Sequence, residues 1–287
     1  MREKDSELSP VVLTVAGSDS GGGAGIQADL RAFNYFNVFG TTAITAVTAQ
    51  NPGAVNAIFP LSAEAVKEQI TAVRQACIVR AAKTGMLFNS DIINAVADIL
   101  EEDQSINLTV DPVMVAGSGT KLLKEDAIEE MKKSLLPLAD VITPNIPEAE
   151  MLTGLKIADK ESAVSGASEL AEKFNCSVLL KGGHRDVDCA VDVLIDSNAG
   201  YLLSSPALEP RNSHGTGCSM SAAMTACLSL GYSVFDAVIY AKSYVYGTLE
   251  NCCCLGRGVW SPGIPKHLPT QNINYITLDI EKNNKTE

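Results

Sequence analysis

The chain has 287 residues, 46% of them hydrophobic and 20% charged, which supports a sizeable buried core and excludes a disordered chain. Its formal net charge of −12 argues against a nucleic-acid partner, since such binding rests on Lys and Arg neutralising phosphates. No apolar run approaches the length of a membrane span and the N-terminus is polar and acidic, so neither a span nor a signal peptide is expected. Its eight cysteines lack the paired spacing of a zinc site, which points to a reduced, cytoplasmic protein without a structural metal.

In chain order, β-branched apolar runs of strand length fall at residues 11–16, 41–49, 80–84, 108–110, 141–143 and 178–181. Between most of them lie segments with apolar residues at i, i+3 and i+4, predicting helices over 25–37, 63–76, 90–102, 125–135 and 160–174. Alternation of this kind builds a mostly parallel sheet with helices on both faces. After Lys181, the β-rich stretches 190–195 and 200–204 flank Asp196-Ser197-Asn198 and predict an antiparallel edge hairpin. Helices over 216–230 and 234–249 complete the pattern. The expectation is one domain over residues 1–287, a three-layer α/β/α sandwich, with loose tails at 1–10 and 271–287.

Ligands of open α/β sheets sit outside the carboxyl ends of the strands, so polar groups there are the candidate site. Gly215-Thr216-Gly217-Cys218 leads into a helix of small residues and reads either as a tight loop or as an anion trap of backbone N–H groups. Its position at a helix start predicts a lowered thiol pKa for Cys218, fitting a base or nucleophile. His214 reads as a loop or ligand-contact residue. The glycine-rich stretch 17–29 lacks the Gly-Lys-Ser/Thr of a Walker loop, and its glycines are misplaced for a dinucleotide fingerprint. The second strand also ends in Gln50 rather than an acid, which weighs against an oxidoreductase. Asp111 and Glu148 have the chemistry of magnesium-holding carboxylates, although each alone also reads as ordinary turn or helix-start chemistry. Lys181, leaving an apolar strand beside two glycines, is either solvated or placed to reach a phosphoryl group.

Together these segments, with the stretch Thr45-Ala46-Val47-Thr48-Ala49-Gln50-Asn51 and Lys181-Gly182-Gly183-His184, resemble the hydroxymethylpyrimidine/phosphomethylpyrimidine kinases, a branch of the ribokinase-like family. The resemblance covers residues 11–269. It implies ATP- and Mg²⁺-dependent phosphorylation of 4-amino-5-hydroxymethyl-2-methylpyrimidine and then of its monophosphate, for thiamine biosynthesis, by a homodimer. Residue by residue, it implies that Gln50 binds the aminopyrimidine edge, with Thr48, Ala24, Met86 and Val113 around the ring. Asn145 and Glu148 would organise magnesium and ATP, with Asp111 close by. Lys181 would stabilise the moving phosphoryl group, and Gly215, Thr216, Gly217 and Cys218 would form the anion hole. Pyridoxal kinases of the same family are the rival, because some share the cysteine and an amide pairs with either ring. A non-catalytic sensor on this fold would be expected to lose the lysine, the carboxylates or the anion hole, and all are present.

Overall fold

A computed structural model describes residues 8–115, 122–123, 125–186, 189–196, 199–209 and 212–278. The sheet strands in chain order are β1 (Val11–Asp19), β2 (Phe39–Asn51), β3 (Ala54–Pro60), β4 (Val79–Thr84), β5 (Asn107–Val110), β6 (Val141–Ile142), β7 (Ser177–Asp186), β8 (Cys189–Asp196) and β9 (Ala199–Pro206). A small separate hairpin joins β10 (Cys253–Gly256) to β11 (Val259–Ser261), and β12 (Asn274–Leu278) returns to the main sheet. That sheet runs β12-β9-β8-β7-β6-β5-β4-β1-β2-β3. The block from β2 through β1, β4, β5 and β6 to β7 is parallel, while β3, β8, β9 and β12 are antiparallel to their neighbours.

The helices are α1 (Gly25–Tyr35), α2 (Ala63–Ala76), α3 (Ser90–Glu101), α4 (Glu125–Glu130), α5 (Ile146–Thr153), α6 (Lys160–Phe174), α7 (Thr216–Ser229) and α8 (Val234–Glu250). Residues of α1, α7 and α8 pack on one face of the sheet with Val12, Val141 and Leu179. Residues of α2, α3, α4 and α6 pack on the other with Leu13, Val15 and Val178. Successive strand residues point to opposite faces, so a strand buried on both sides reads as an uninterrupted apolar run. No described helix is long and apolar enough to cross a membrane.

The structure departs from the sequence expectations at several elements, among them β7, expected to end at Lys181 but running to Asp186, and the unexpected hairpin β10–β11. Residues 54–60, left unassigned, form β3, because Asn51 Oδ1 accepts from the N–H groups of Gly53 (2.9 Å) and Ala54 (3.2 Å) and turns the chain back along β2. The tail expected to be loose from residue 271 instead lays Asn274–Leu278 along β9, so β12 and not the β8–β9 hairpin forms that edge. The helix expected over 125–135 widens into a π turn at Met131–Leu135 and then a 3₁₀ turn at Leu136–Leu138, whose Pro137 has no N–H to continue the ladder. Finally, Asn145-Ile146-Pro147-Glu148 opens the short helix α5. Residues 1–7 and 279–287 of the expected tails, and Ser197-Asn198 of the expected turn, lie outside the described residues.

One buried ion pair fastens α1 to the sheet. Lys83 of β4 donates to Asp29 of α1 at 2.7 Å, and Thr14 of β1 donates to the other carboxylate oxygen, also at 2.7 Å. All three are fully buried. Burial opposes the Lys83 charge, but Asp29, Cys218 and Asp111 together raise its pKa above the ordinary lysine value. Removing one partner of a buried pair leaves the other uncompensated. Lys83→Met is therefore expected to lower stability by about 3–5 kcal/mol in urea unfolding. Lys83→Met with Asp29→Asn should recover part of that loss; a double variant no more stable than the single would remove the pair from the account.

Candidate active site

The cleft is built outward from Asp111, which is only 2% exposed just beyond β5. Its Oδ1 accepts from Lys181 Nζ at 2.8 Å and from Thr143 Oγ1 at 3.2 Å, and its Oδ2 accepts from Ser221 Oγ at 3.0 Å. A buried carboxylate needs such partners to remain ionised. Burial pushes its pKa up, but Lys181, Lys83 and Ser221 outweigh that and hold it below the ordinary value. The isolated bridge between Asn145, beyond β6, and Lys181 of β7, with the Lys181 N–H on Pro144 O at 2.8 Å, fixes the backbone from which the lysine reaches Asp111.

Gly215-Thr216-Gly217-Cys218 opens α7, with Gly215 as N-cap in the left-handed region at φ +83°. A Cβ at Gly215 would collide with the Gly23 carbonyl, and a Cβ at Gly217 would lie 3.4 Å from Lys181 Nζ. The lysine head is thus beside Gly217 in the first turn of α7, a pairing suited to an anion, although the Thr216 N–H is already held by the Ser213 carbonyl at 3.2 Å. Gly182, next to Lys181, is also left-handed at φ +70°, and its N–H is held by Asp192 Oδ1 at 2.7 Å. Asp192 in turn pairs with Lys242 of α8 at 2.6 Å.

Cys218 corrects the sequence reading of its thiol. Burial pushes the pKa up to about 11, and neither the Lys83 charge nor the Gly25 N–H bonded to the sulfur offsets it. Enclosure outweighs the helix dipole, so the thiol is neutral at pH 7.

On the opposite wall, the carboxylate of Asp19 gathers the glycine-rich loop around itself. It accepts from the N–H groups of Gly21 (2.8 Å), Gly23 (3.0 Å) and Ala24 (2.8 Å), and lies 3.2 Å from His214 Nε2. Burial opposes its charge, but His214 and these amides hold its pKa below the usual carboxylate value. Gln50, at the end of β2, lies 3.0 Å from the same His214 nitrogen and 3.2 Å from Thr48 Oγ1. Met86, beyond β4, would touch a Cβ at Gly17 with its terminal methyl, and Ala24 is the N-cap of α1. Val113 follows Asp111 in the strand-end turn, its N–H on the Asp111 carbonyl at 2.8 Å.

Asn145 and Glu148 form a reciprocal capping box at α5: Glu148 N–H donates to Asn145 Oδ1 at 2.9 Å and Asn145 N–H to Glu148 Oε2 at 2.8 Å. A ligand role for Asn145 therefore falls to its amide nitrogen. Burial pushes the Glu148 carboxyl up to about 7, against the pull of the Lys181 charge. No group of three or more His, Cys, Asp and Glu side chains capable of holding a metal occurs among the described residues. Magnesium fits here only in the manner of phosphotransferases, through one or two carboxylates with water and substrate phosphates. Glu148 and Asp111 are the two carboxylates for that role, and both already hold protein donors: Glu148 the Asn145 N–H, Asp111 the Lys181, Thr143 and Ser221 side chains.

The comparisons with known proteins agree with this geometry. The family described as phosphomethylpyrimidine kinase matches residues 19–262. The chain belongs to that family. It is 43% identical over 271 residues to the hydroxymethylpyrimidine/phosphomethylpyrimidine kinase of Haemophilus influenzae, covering 93% of this chain and 98% of that protein. A phosphomethylpyrimidine kinase structure from Clostridium difficile 630 superposes with a TM-score of 0.73 at 41% identity, covering 83% of this chain and 98% of that one. The pyridoxal kinase of Staphylococcus aureus, solved in complex with AMP-PCP, gives a TM-score of 0.85 at 32% identity over 94% of this chain and all of that one. These family members share the fold expected from the sequence, and they are phosphotransferases.

Sequence reasoning missed the Asp19–His214–Gln50 contact, the Lys83–Asp29 pair and the Asp192–Lys242 brace. All three join residues far apart in the chain. The α5 cap was missed as well, although Asn-x-x-Glu with proline inside the first turn is a signal that marks such a helix start.

The two left-handed glycines predict unequal outcomes. Gly182→Ala meets no atom within 4 Å and should lose only about 1–2 kcal/mol to backbone strain. Gly215→Ala adds a collision with Gly23 and should lose more stability, together with ATP affinity. Thermal melting and nucleotide titration of both variants check this; equal effects would mean the loop contact is slack.

Proposed function

We propose that this chain transfers the γ-phosphoryl group of ATP to the hydroxymethyl oxygen of 4-amino-5-hydroxymethyl-2-methylpyrimidine, and then phosphorylates the monophosphate to the diphosphate used for thiamine biosynthesis. The observation that carries the reaction class is the Lys181 ammonium, anchored by Asp111 and set beside Gly217 at the N-terminus of α7. Higher identity to the pyrimidine kinases than to the pyridoxal kinase supports the pyrimidine as acceptor. The same reading makes the protein a cytoplasmic homodimer.

Phosphoryl transfer asks a protein mainly for positioning and for charge aimed at the moving group. Lys181 and the N–H groups of the 215–218 loop other than that of Thr216, which the Ser213 carbonyl holds, supply that charge without rearranging, because Asp111, Ser221 and the Gly23 contact hold them in place. Gln50, Thr48, Ala24, Met86 and Val113 orient the ring so that its hydroxymethyl oxygen faces the anion hole. Magnesium, when bound, neutralises phosphate charge; Glu148 would hold it through water, with Asn145 beside it and Asp111 behind. Cys218 contributes its main-chain N–H and a neutral thiol.

The direct test offers the purified protein ATP with the pyrimidine alcohol, its monophosphate or pyridoxal. Both pyrimidines are expected to consume ATP; turnover of pyridoxal at comparable kcat/KM, with none on the monophosphate, would reassign the substrate. Gln50→Ala should raise the pyrimidine KM at a cost of about 1–3 kcal/mol. Lys181→Ala should lower kcat about 10²–10³-fold while ATP binding changes little.

Two pH dependences follow from the shifted groups. With the Cys218 thiol near 11, any acidic limb of the kcat profile near neutrality belongs to another group, so Cys218→Ser should keep that limb. Its disappearance would make the thiol the base. With the Glu148 carboxyl near 7, protons compete with magnesium below that pH. The magnesium concentration for half activity should therefore rise by up to about tenfold per unit as pH falls below 7, and level off above it. Glu148→Gln should flatten this dependence.

A further inference from the structure

The hydrogen-bond donors around Gln50 are too few to leave its amide free to turn. Thr48 has one hydroxyl hydrogen, and its shorter contact is with the Ser18 carbonyl, at 2.9 Å. The Gln50 atom 3.2 Å from Thr48 Oγ1 must then donate to it, which makes that atom the amide nitrogen. At the other end, His214 Nε2 lies 3.2 Å from the ionised Asp19 carboxylate, an acceptor only, so this nitrogen carries a hydrogen. The Gln50 atom 3.0 Å from it must accept, which makes that atom the amide oxygen. Both contacts thus require the same orientation, oxygen toward His214 and nitrogen toward Thr48, which turns over the amide as it is placed in the structure, with its oxygen at Thr48 and its nitrogen at His214.

We propose that His214, oriented by Asp19, is a specificity-determining positioning residue that locks the Gln50 amide in this orientation. Locked so, Gln50 has one N–H and one oxygen lone pair left for a ligand, in fixed order. That pattern matches a heterocycle edge with a ring-nitrogen acceptor beside an exocyclic amino donor. A ring offering only one of these groups leaves half of the amide unpaired, and a site built around such pairing rejects it strongly. Asp19 also ties down the main-chain N–H groups of Gly21, Gly23 and Ala24, so the amide lock and the loop lining the ring share one anchor. The inference rests on the pyrimidine-kinase reading and assigns the group that sets its ring preference.

The test is a double-mutant cycle read by calorimetric binding of 4-amino-5-hydroxymethyl-2-methylpyrimidine and of its analogue lacking the amino group. His214→Phe keeps a flat ring but removes the N–H. It should weaken the amino compound about tenfold and narrow its advantage over the analogue. In a Gln50→Ala background the same change should add no more than about twofold. His214→Gln restores an N–H donor and should bind within about threefold of wild type, and it carries the test alone if the Phe variant does not fold. Fully additive effects, or a folded His214→Gln protein as weak as the Phe variant, would overturn the lock while leaving the kinase assignment standing. A wild-type protein that binds neither pyrimidine would instead overturn the functional reading, and this inference with it.

Discussion

The Asp111 carboxylate is the constraint on which the cleft depends. A charge this deeply buried is tolerated only when its oxygens are occupied, and the occupants come from three separate parts of the chain: Thr143 after β6, Lys181 midway along β7, and Ser221 in α7. Satisfying one carboxylate thereby sets the spacing between the sheet's carboxyl edge and the first turn of α7. The lysine is held off solvent and the helix N-terminus is brought to it. The electrostatic part of the site is thus assembled by the need to keep a buried charge paired.

Around that centre, backbone comes unusually close to backbone. Gly215 lies against Gly23, and Gly25, at φ +57°, lies against the Gly17 carbonyl, approaches that any side chain would prevent. Removing side chains there lets main-chain N–H groups face a ligand directly, where they are pre-aimed and carry little conformational freedom to lose. Asp19 performs for this wall what Asp111 performs for the other, a buried acceptor that collects donors and so gives an otherwise pliant glycine-rich loop one shape.

Much of this was legible in the sequence, and the limits have physical causes. Apolar runs alternating with helical periodicity gave the parallel core, because strands such as β1 are buried on both faces and are mostly apolar, Thr14 being the one polar residue between Val11 and Ala16. Strand β3 was hidden because half-exposed edge residues need no apolar pattern, and β12 because its five residues gain their strand identity only by pairing with β9. At the site, glycines, Lys181 and the carboxylates were visible as residue types at strand ends. Pairings such as Lys83 with Asp29 and His214 with Asp19 were not, since nothing local in either segment marks the partner. The Cys218 thiol was misread in sign because a helix start is visible in sequence, while the enclosure that outweighs it is a property of the packed molecule.

The contact between Asp19 and His214 joins positions 195 residues apart. During synthesis β1 and its glycine-rich loop emerge first, yet the loop's far partner and the start of α7 leave the ribosome only after most of the chain. Non-local closure of this kind is slow, and surface awaiting its partner is exposed meanwhile. A nascent chain reaching only through α6 would hold much of the sheet, one helix layer and the Gln50 wall, but no anion loop. Nucleotide binding accordingly reports completion of nearly the entire fold.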